Sequence, residues 1–237
     1  MTDEDVPRRP GGVRVLLVDD QALLRMGFRL VLEAEDDLDV VGEAADGAGA
    51  VAMATALRPD VVLMDVRMPG MNGIDATERI VAAMPCTRIV ILTTFDLDEY
   101  AFAALRVGAS GFLLKDARPA ELIAAIRAVA SGDAVVSPRV TRRMLEMFAA
   151  HLPQRSGNRT TDRSDGLDPR LRGLTAREIE VLGALADGLS NAEIAERFVL
   201  AEATVKTHIG RILAKLGLRD RVQAVVLAYE TGLARPS

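Results

Sequence analysis

The chain has no tryptophan, one cysteine, two histidines and few aromatic residues, which make up 3% of its 237 residues. With so few rings, any core must be built from Leu, Val, Ile and Ala. The lone Cys86 cannot close an intramolecular disulfide and has no neighbouring Cys or His with metal-ligand spacing, which suits a reducing cytoplasm. No apolar run approaches the roughly 18 residues of a membrane span. The first dozen residues, MTDEDVPRRPGG, are polar and are not followed by the apolar core of a signal peptide. What is plentiful is aliphatic: 49% of the residues are hydrophobic and 27% charged, a balance that suits a soluble globular protein.

The net charge of −5 conceals an asymmetry. Residues 1–137 carry 22 acidic and 13 basic side chains, whereas residues 138–237 carry 12 and 16, so an acidic half precedes a basic one. Only the second half is suited to meet a polyanion.

Pattern divides the chain at the same place. In the first half, short aliphatic runs at 13–18, 38–41, 61–64, 89–92 and 111–114 alternate with helical patterns near 21–34, 47–57, 73–83, 97–107 and 119–131. Several runs are apolar without alternation, as strands buried on both faces read. Five β-α repeats predict an α/β doubly wound parallel sheet with helices on both faces. Residues 138–150 read as a short helix. The stretch 152–170, LPQRSGNRTTDRSDGLDPR, is polar and turn-rich and reads as a flexible linker. The remainder is helical, with helices expected near 175–187, 191–198, 202–216 and 219–231. Thr175 with Glu178, and Ser190 with Glu193, spell capping boxes at two helix starts. Gly188 and Gly217 suit helix C-terminal positions. The expected division is therefore 12–132, a linker over 133–170, and an all-α unit over 171–237.

In open parallel sheets, sites form beyond the carboxyl ends of the strands. The first strand runs into Asp19-Asp20, the third into Asp65, the fourth into Thr93-Thr94 and the fifth into Lys115. Taken singly, each has a plain structural reading as a turn, a cap or a solvated loop end. Together they put three carboxylates, a hydroxyl and an ammonium at one sheet edge. Clustered carboxylates repel unless a cation is present, and Mg²⁺ is the hard, oxygen-seeking choice. A carboxylate beside Mg²⁺ can take up a phosphoryl group as an aspartyl phosphate, with Lys115 and Thr93 holding phosphoryl oxygens.

The segments VLLVDD, VVLMDVRMPGMNGID, IVILTTF and GASGFLLKD resemble the signature segments of response-regulator receiver domains over residues 13–132. That resemblance implies Asp65 as phosphoacceptor and Asp20, Asp65 and the Arg67 backbone carbonyl as magnesium ligands, with Asp19 as the outer acidic residue. It further implies Thr93 as the switch hydroxyl, Lys115 as the invariant lysine, and Phe112 in the place of a switch aromatic that is often Tyr. On phosphorylation Thr93 would move towards the new oxygens and Phe112 would rotate inward. The surface of the predicted 97–107 and 119–131 helices and the 111–114 strand would then change.

On a helix over 202–216, Val205, Ile209, Ile212, Leu213 and Leu216 share one arc, while Ala203, Thr207, Gly210 and Ala214 form a small-residue face edged by Lys206, Arg211 and Lys215. Such a face can enter a major groove while its basic edges reach phosphates. The preceding helix of about eight residues completes a helix-turn-helix. The segments LTAREIEVLGALADGLSNAEIAERF and EATVKTHIGRILAKLGLRDRVQAV resemble the LuxR-type domain of the NarL/FixJ response regulators over about residues 170–235. The resemblance implies Lys206, Thr207 and Gly210 near bases, and Lys206 and Lys215 near the backbone; Thr204 and Arg211 complete the candidate contact set. Ala201 stands where relatives often have a Ser or Thr cap, and Gly210 where some have Lys.

These features lead us to expect a cytoplasmic, non-enzymatic transcription regulator phosphorylated by a sensor histidine kinase. Phosphorylation should favour a homodimer on paired half-sites of double-stranded DNA. Three other readings compete with this one. A regulator indifferent to phosphate would share the DNA-binding half. A small-molecule phosphatase with an aspartyl nucleophile usually needs a general acid two residues on, where Arg67 stands. An RNA-binding antiterminator would favour aromatic stacking surfaces, which this composition does not supply.

Overall fold

The computed structural model describes residues 12–93, 103–131 and 168–234. Among these residues, β1 (Val13–Val18), α1 (Ala22–Glu33), β2 (Leu38–Ala44), α2 (Gly47–Leu57), β3 (Val61–Asp65), α3 (Gly73–Ala83), β4 (Arg88–Thr93), β5 (Gly111–Leu114) and α4 (Pro119–Ala130) follow in order. The strands form one parallel sheet in the order β2-β1-β3-β4-β5. The helix expected over 97–107 is described only from residue 103; residues 103–106 are helical and residue 107 is already in a turn. Its first part, with Thr94, lies outside the described residues, as do the helix expected at 138–150 and most of the expected linker.

The central strands are buried along nearly their whole length because both sheet faces are covered. Leu16, Val18, Val62, Met64, Ile89 and Ile91 point to one side, where Ala50, Ala54, Ala76 and Ile80 of α2 and α3 cover them. The alternate residues Val15, Leu17, Val61, Leu63, Val90 and Leu92 point to the other, against Leu32 of α1 and Leu122, Ile126 and Val129 of α4. Burying each such side chain contributes about 1.5–3 kcal/mol. The strand β2 runs three residues further than its apolar run, through Gly42 and Glu43, and its register with β1 slips between Val15 and Leu16. As an edge strand it tolerates polar residues there: Glu43 pairs with Arg25 and Arg29 of α1.

After a 3₁₀ turn at Pro169–Leu171, four further α-helices follow among the described residues: α5 (Ala176–Ala186), α6 (Asn191–Phe198), α7 (Glu202–Leu216) and α8 (Arg221–Glu230). Both capping boxes form, Thr175 with Glu178 and Ser190 with Glu193. Gly188 and Gly217 take φ of 83° and 65°, the left-handed conformation that ends a helix. The turn from α6 to α7 is less comfortable. Val199 adopts φ 54° with its side chain 92% exposed, a conformation that costs a β-branched residue of order 1–3 kcal/mol. Val205 and Ile212 are buried, so α7 turns the predicted apolar arc inward. No helix among the described residues is long and apolar enough to cross a membrane.

Candidate phosphoryl-acceptor site and DNA-reading face

The parallel sheet aims the carboxyl ends of β1, β3, β4 and β5 at one edge, and the site is assembled there. Asp19 is 1% exposed and Asp65 3%, and Thr93 at the end of β4 is also buried. Asp20 beside them is exposed. Oxygens of Asp19, Asp20 and Asp65 all lie within 4.8 Å of one another. Local bonds fix the first two elements: the Asp19 carboxylate accepts from the Gln21 N–H at 2.8 Å, and Asp65 Oδ1 accepts from the Arg67 N–H at 3.3 Å. The Lys115 N–H donates to the Thr93 carbonyl at 2.7 Å, tying the ends of β4 and β5 together.

The Lys115 ammonium bridges the two buried carboxylates. Its Nζ stands 2.7 Å from Asp19 Oδ2 and 2.9 Å from Asp65 Oδ2. Burial pushes the Asp65 carboxyl above its ordinary value; Lys115 pulls it down without prevailing, and the Asp19 charge adds to the rise. Burial works against the Lys115 charge too, but there the two carboxylates win and its pKa is raised. Three clustered carboxylates share this one ammonium, an excess of negative charge that a hard divalent cation satisfies, and the donor set fits Mg²⁺.

Gly73, at the start of α3, has a role that its sequence position did not disclose. A Cβ there would lie 1.9 Å from the Asp65 carbonyl oxygen, so only glycine lets α3 pack against the end of β3. The MNG step in the quoted segment was the available signal: Asn72 caps α3, accepting from the Ile74 and Asp75 N–H groups at 2.9 Å, and the next residue must pass close to the strand.

Phe112, in the place of the expected switch aromatic, lies in β5 and is 5% exposed. A phenyl ring has no polar tip to keep in water, and burial is its favourable state.

In the helical unit, Thr204, Lys206, Thr207, Gly210 and Arg211 of α7 are all exposed on the face opposite Val205 and Ile212. The Thr207 hydroxyl donates to the Ala203 carbonyl at 2.9 Å. Ala201 starts the helix with no side-chain cap. Lys215 differs from the rest: its ammonium donates to Glu178 at 2.7 Å, locking α7 to the capping box of α5. The Glu178 carboxyl is held down at about 2, chiefly by that hydrogen bond and also by the Thr175 N–H.

A doubly wound sheet with an acidic, lysine-bridged pocket, followed by a helix-turn-helix unit, defines a receiver protein with a DNA-binding output. Comparison with known proteins agrees. Residues 15–127 match the response regulator receiver domain, and residues 172–228 match the bacterial regulatory proteins of the luxR family. The chain is 46% identical over 224 residues to the uncharacterized transcriptional regulatory protein YxjL of Bacillus subtilis, covering 94% of this chain and 98% of that one. It is 40% identical, over 94% of this chain and 97% of the other, to the DNA-binding transcriptional activator DevR/DosR of Mycobacterium tuberculosis. Among solved structures, a LuxR-family two-component response regulator from Aurantimonas superposes with a TM-score of 0.54 at 37% identity, over 57% of this chain and 96% of that one. The chain belongs to the LuxR-type response regulators, the DNA-binding transcriptional regulators of two-component systems.

Proposed function

We propose that Asp65 is the residue that takes up the phosphoryl group, within a receiver spanning 12–132, and that a linker over 133–170 joins it to a DNA-binding unit spanning 171–237. The observation that carries this reading is the Lys115 bridge between Asp19 and Asp65, with an Asp20 oxygen within 4.8 Å of both carboxylates. An Asp65 oxygen forms the new bond to phosphorus as the donor's own bond breaks, and the leaving group departs with that electron pair. Lys115 is already within reach of the incoming phosphoryl oxygens, and the Thr93 hydroxyl stands at the adjoining strand end. Asp20, Asp65 and the Arg67 backbone carbonyl would hold Mg²⁺, with Asp19 beyond them. The ion, when bound, supplies positive charge against the carboxylates and the phosphoryl oxygens. The protein accepts one group rather than turning over a substrate, and loss of that group resets it.

The donor is a sensor histidine kinase acting in the cytoplasm. An exposed apolar stripe supports a docking surface beside the pocket. Leu23, Met26 and Leu30 of α1 are 83%, 57% and 65% exposed, and Leu23, with Leu24 and Phe28, borders a cleft of about 330 Å³ that reaches Pro119 and Leu122. On the output side, α7 enters the major groove with Thr204, Thr207 and Gly210 towards the bases and Lys206 and Arg211 towards phosphates. Lys215 serves mainly to hold α7 in place. Phosphorylation pairs two chains on half-sites about one helical turn apart.

The test is incorporation of phosphate. Incubated with acetyl phosphate and Mg²⁺, the wild-type chain should gain one phosphoryl group by intact mass, and Asp65→Asn none. Equal labelling of both would sink the assignment. For the DNA face, Lys206→Ala and Arg211→Ala should each lower the salt dependence of DNA binding by about one counterion.

A further inference from the structure

The two units meet at a compact polar contact beside an apolar cluster that they share. Arg219, in the turn between α7 and α8, reaches across to the receiver and donates to three backbone carbonyls: Pro85 from Nε at 3.2 Å, Gly108 from Nη1 at 3.0 Å, and Thr87 from Nη2. The contact is reciprocal. Arg88 of the receiver donates to the Arg219 carbonyl at 2.9 Å and stands 3.7 Å from the buried carboxylate of Asp220. Asp220 also caps α8, accepting from the Gln223 N–H at 3.1 Å, and the Gln223 amide donates to the Leu105 carbonyl at 2.8 Å. Gly108 permits the approach: its φ is +107°, and a Cβ there would crowd the Arg219 guanidinium at 3.1 Å.

Position gives this cluster its meaning. Pro85, Thr87 and Arg88 lead into β4, and Leu105 and Gly108 precede β5. The contact therefore grips the amino ends of the two strands whose carboxyl ends carry Thr93 and Lys115. A guanidinium spread over three carbonyls fixes direction as well as distance. The reading face takes no part: Thr204, Lys206, Thr207, Gly210 and Arg211 remain exposed with the contact closed.

We propose that Arg219, with Arg88, Asp220 and Gln223, is an interdomain clasp that holds the helical unit in one orientation while leaving its reading helix open. Control then acts on how two helical units can be arranged on paired sites, not on whether one reading helix can reach DNA. This rests on the DNA-binding and phosphorylation reading above.

The experiment uses the full chain as wild type, Arg219→Ala and Gln223→Ala. The duplex is one that the wild-type chain selects from a random pool, prepared with one half-site or two, and binding is measured with and without acetyl phosphate. Small-angle scattering should show both variants more extended than wild type. Affinity for the single half-site should stay within about twofold. Without phosphodonor, the variants should bind the paired duplex about 5-fold or more tighter than wild type. Two outcomes would overturn the clasp: an equal gain on the single half-site, which would mean the reading face had been masked, or unchanged scattering and phosphodonor dependence. If the wild-type chain selects no duplex, the DNA-binding reading falls instead, and scattering still decides whether the clasp exists.

Discussion

Two lysines in this protein sit within 3 Å of a carboxylate, Lys115 at 2.9 Å from Asp65 and Lys215 at 2.7 Å from Glu178, and these two partners respond in opposite directions. At the sheet edge, Lys115 is divided between Asp19 and Asp65, and Asp65 is pushed up. In the helical unit, Lys215 serves Glu178 alone, and Glu178 falls to about 2. Distance does not decide the matter. Asp65 is buried beside a second carboxylate with one cation between them, so desolvation dominates. Glu178 collects the lysine, the Thr175 N–H at 2.7 Å and the Thr175 hydroxyl at 3.0 Å, so hydrogen bonding dominates. One arrangement holds a carboxylate short of compensation, ready for a ligand. The other spends its charge on joining two helices.

Removing each lysine's function should separate the two most sharply. Lys115→Ala leaves two buried carboxylates facing each other. It should destabilise the chain by about 3 kcal/mol at neutral pH in chelator, read by urea unfolding, with part of the loss recovered on adding Mg²⁺. Glu178→Ala should cost about 2 kcal/mol by removing a cap and an ion pair together.

The pH dependences should run in opposite senses. The Glu178 contribution is present above the ordinary carboxylate range and is lost as pH falls towards 2. The wild type's advantage over Glu178→Ala should therefore narrow in acid. Asp65, raised in the fold, contributes stability at low pH that is lost as its carboxyl ionises. Asp65→Asn should therefore raise Tm by a few degrees at pH 7, with no gain below about pH 4. A fall in Tm for Asp65→Asn at pH 7 would break the contrast. The smallest effect lies at the uncapped start of α7, where Ala201→Ser should add about 1 kcal/mol to the helical unit, read by thermal unfolding.

How legible these features were depended on range. The strand runs ended in Asp19, Asp65, Thr93 and Lys115, and parallel pairing alone brings strand ends to one edge. The capping boxes were local, spanning three residues each. The edge strand β2 outran its apolar run because Glu43 finds Arg25 and Arg29 on a helix the pattern could not orient. Lys215 read as a basic edge of the DNA face, since nothing local reveals that Glu178, 37 residues away, claims it. The Arg219 contacts span 111 to 134 residues, and an arginine that binds backbone carbonyls leaves no mark on the sequence of its partner.

The central claim is that a phosphoryl group on Asp65 changes what α7 does. Equilibrium titration of a selected paired-site duplex with the full chain, with and without acetyl phosphate and Mg²⁺, tests it most directly. The account predicts that the phosphodonor tightens wild-type binding by about 5-fold or more and leaves Asp65→Asn unmoved. Equal affinity with and without phosphodonor in the wild type, or the same response in Asp65→Asn, would contradict it.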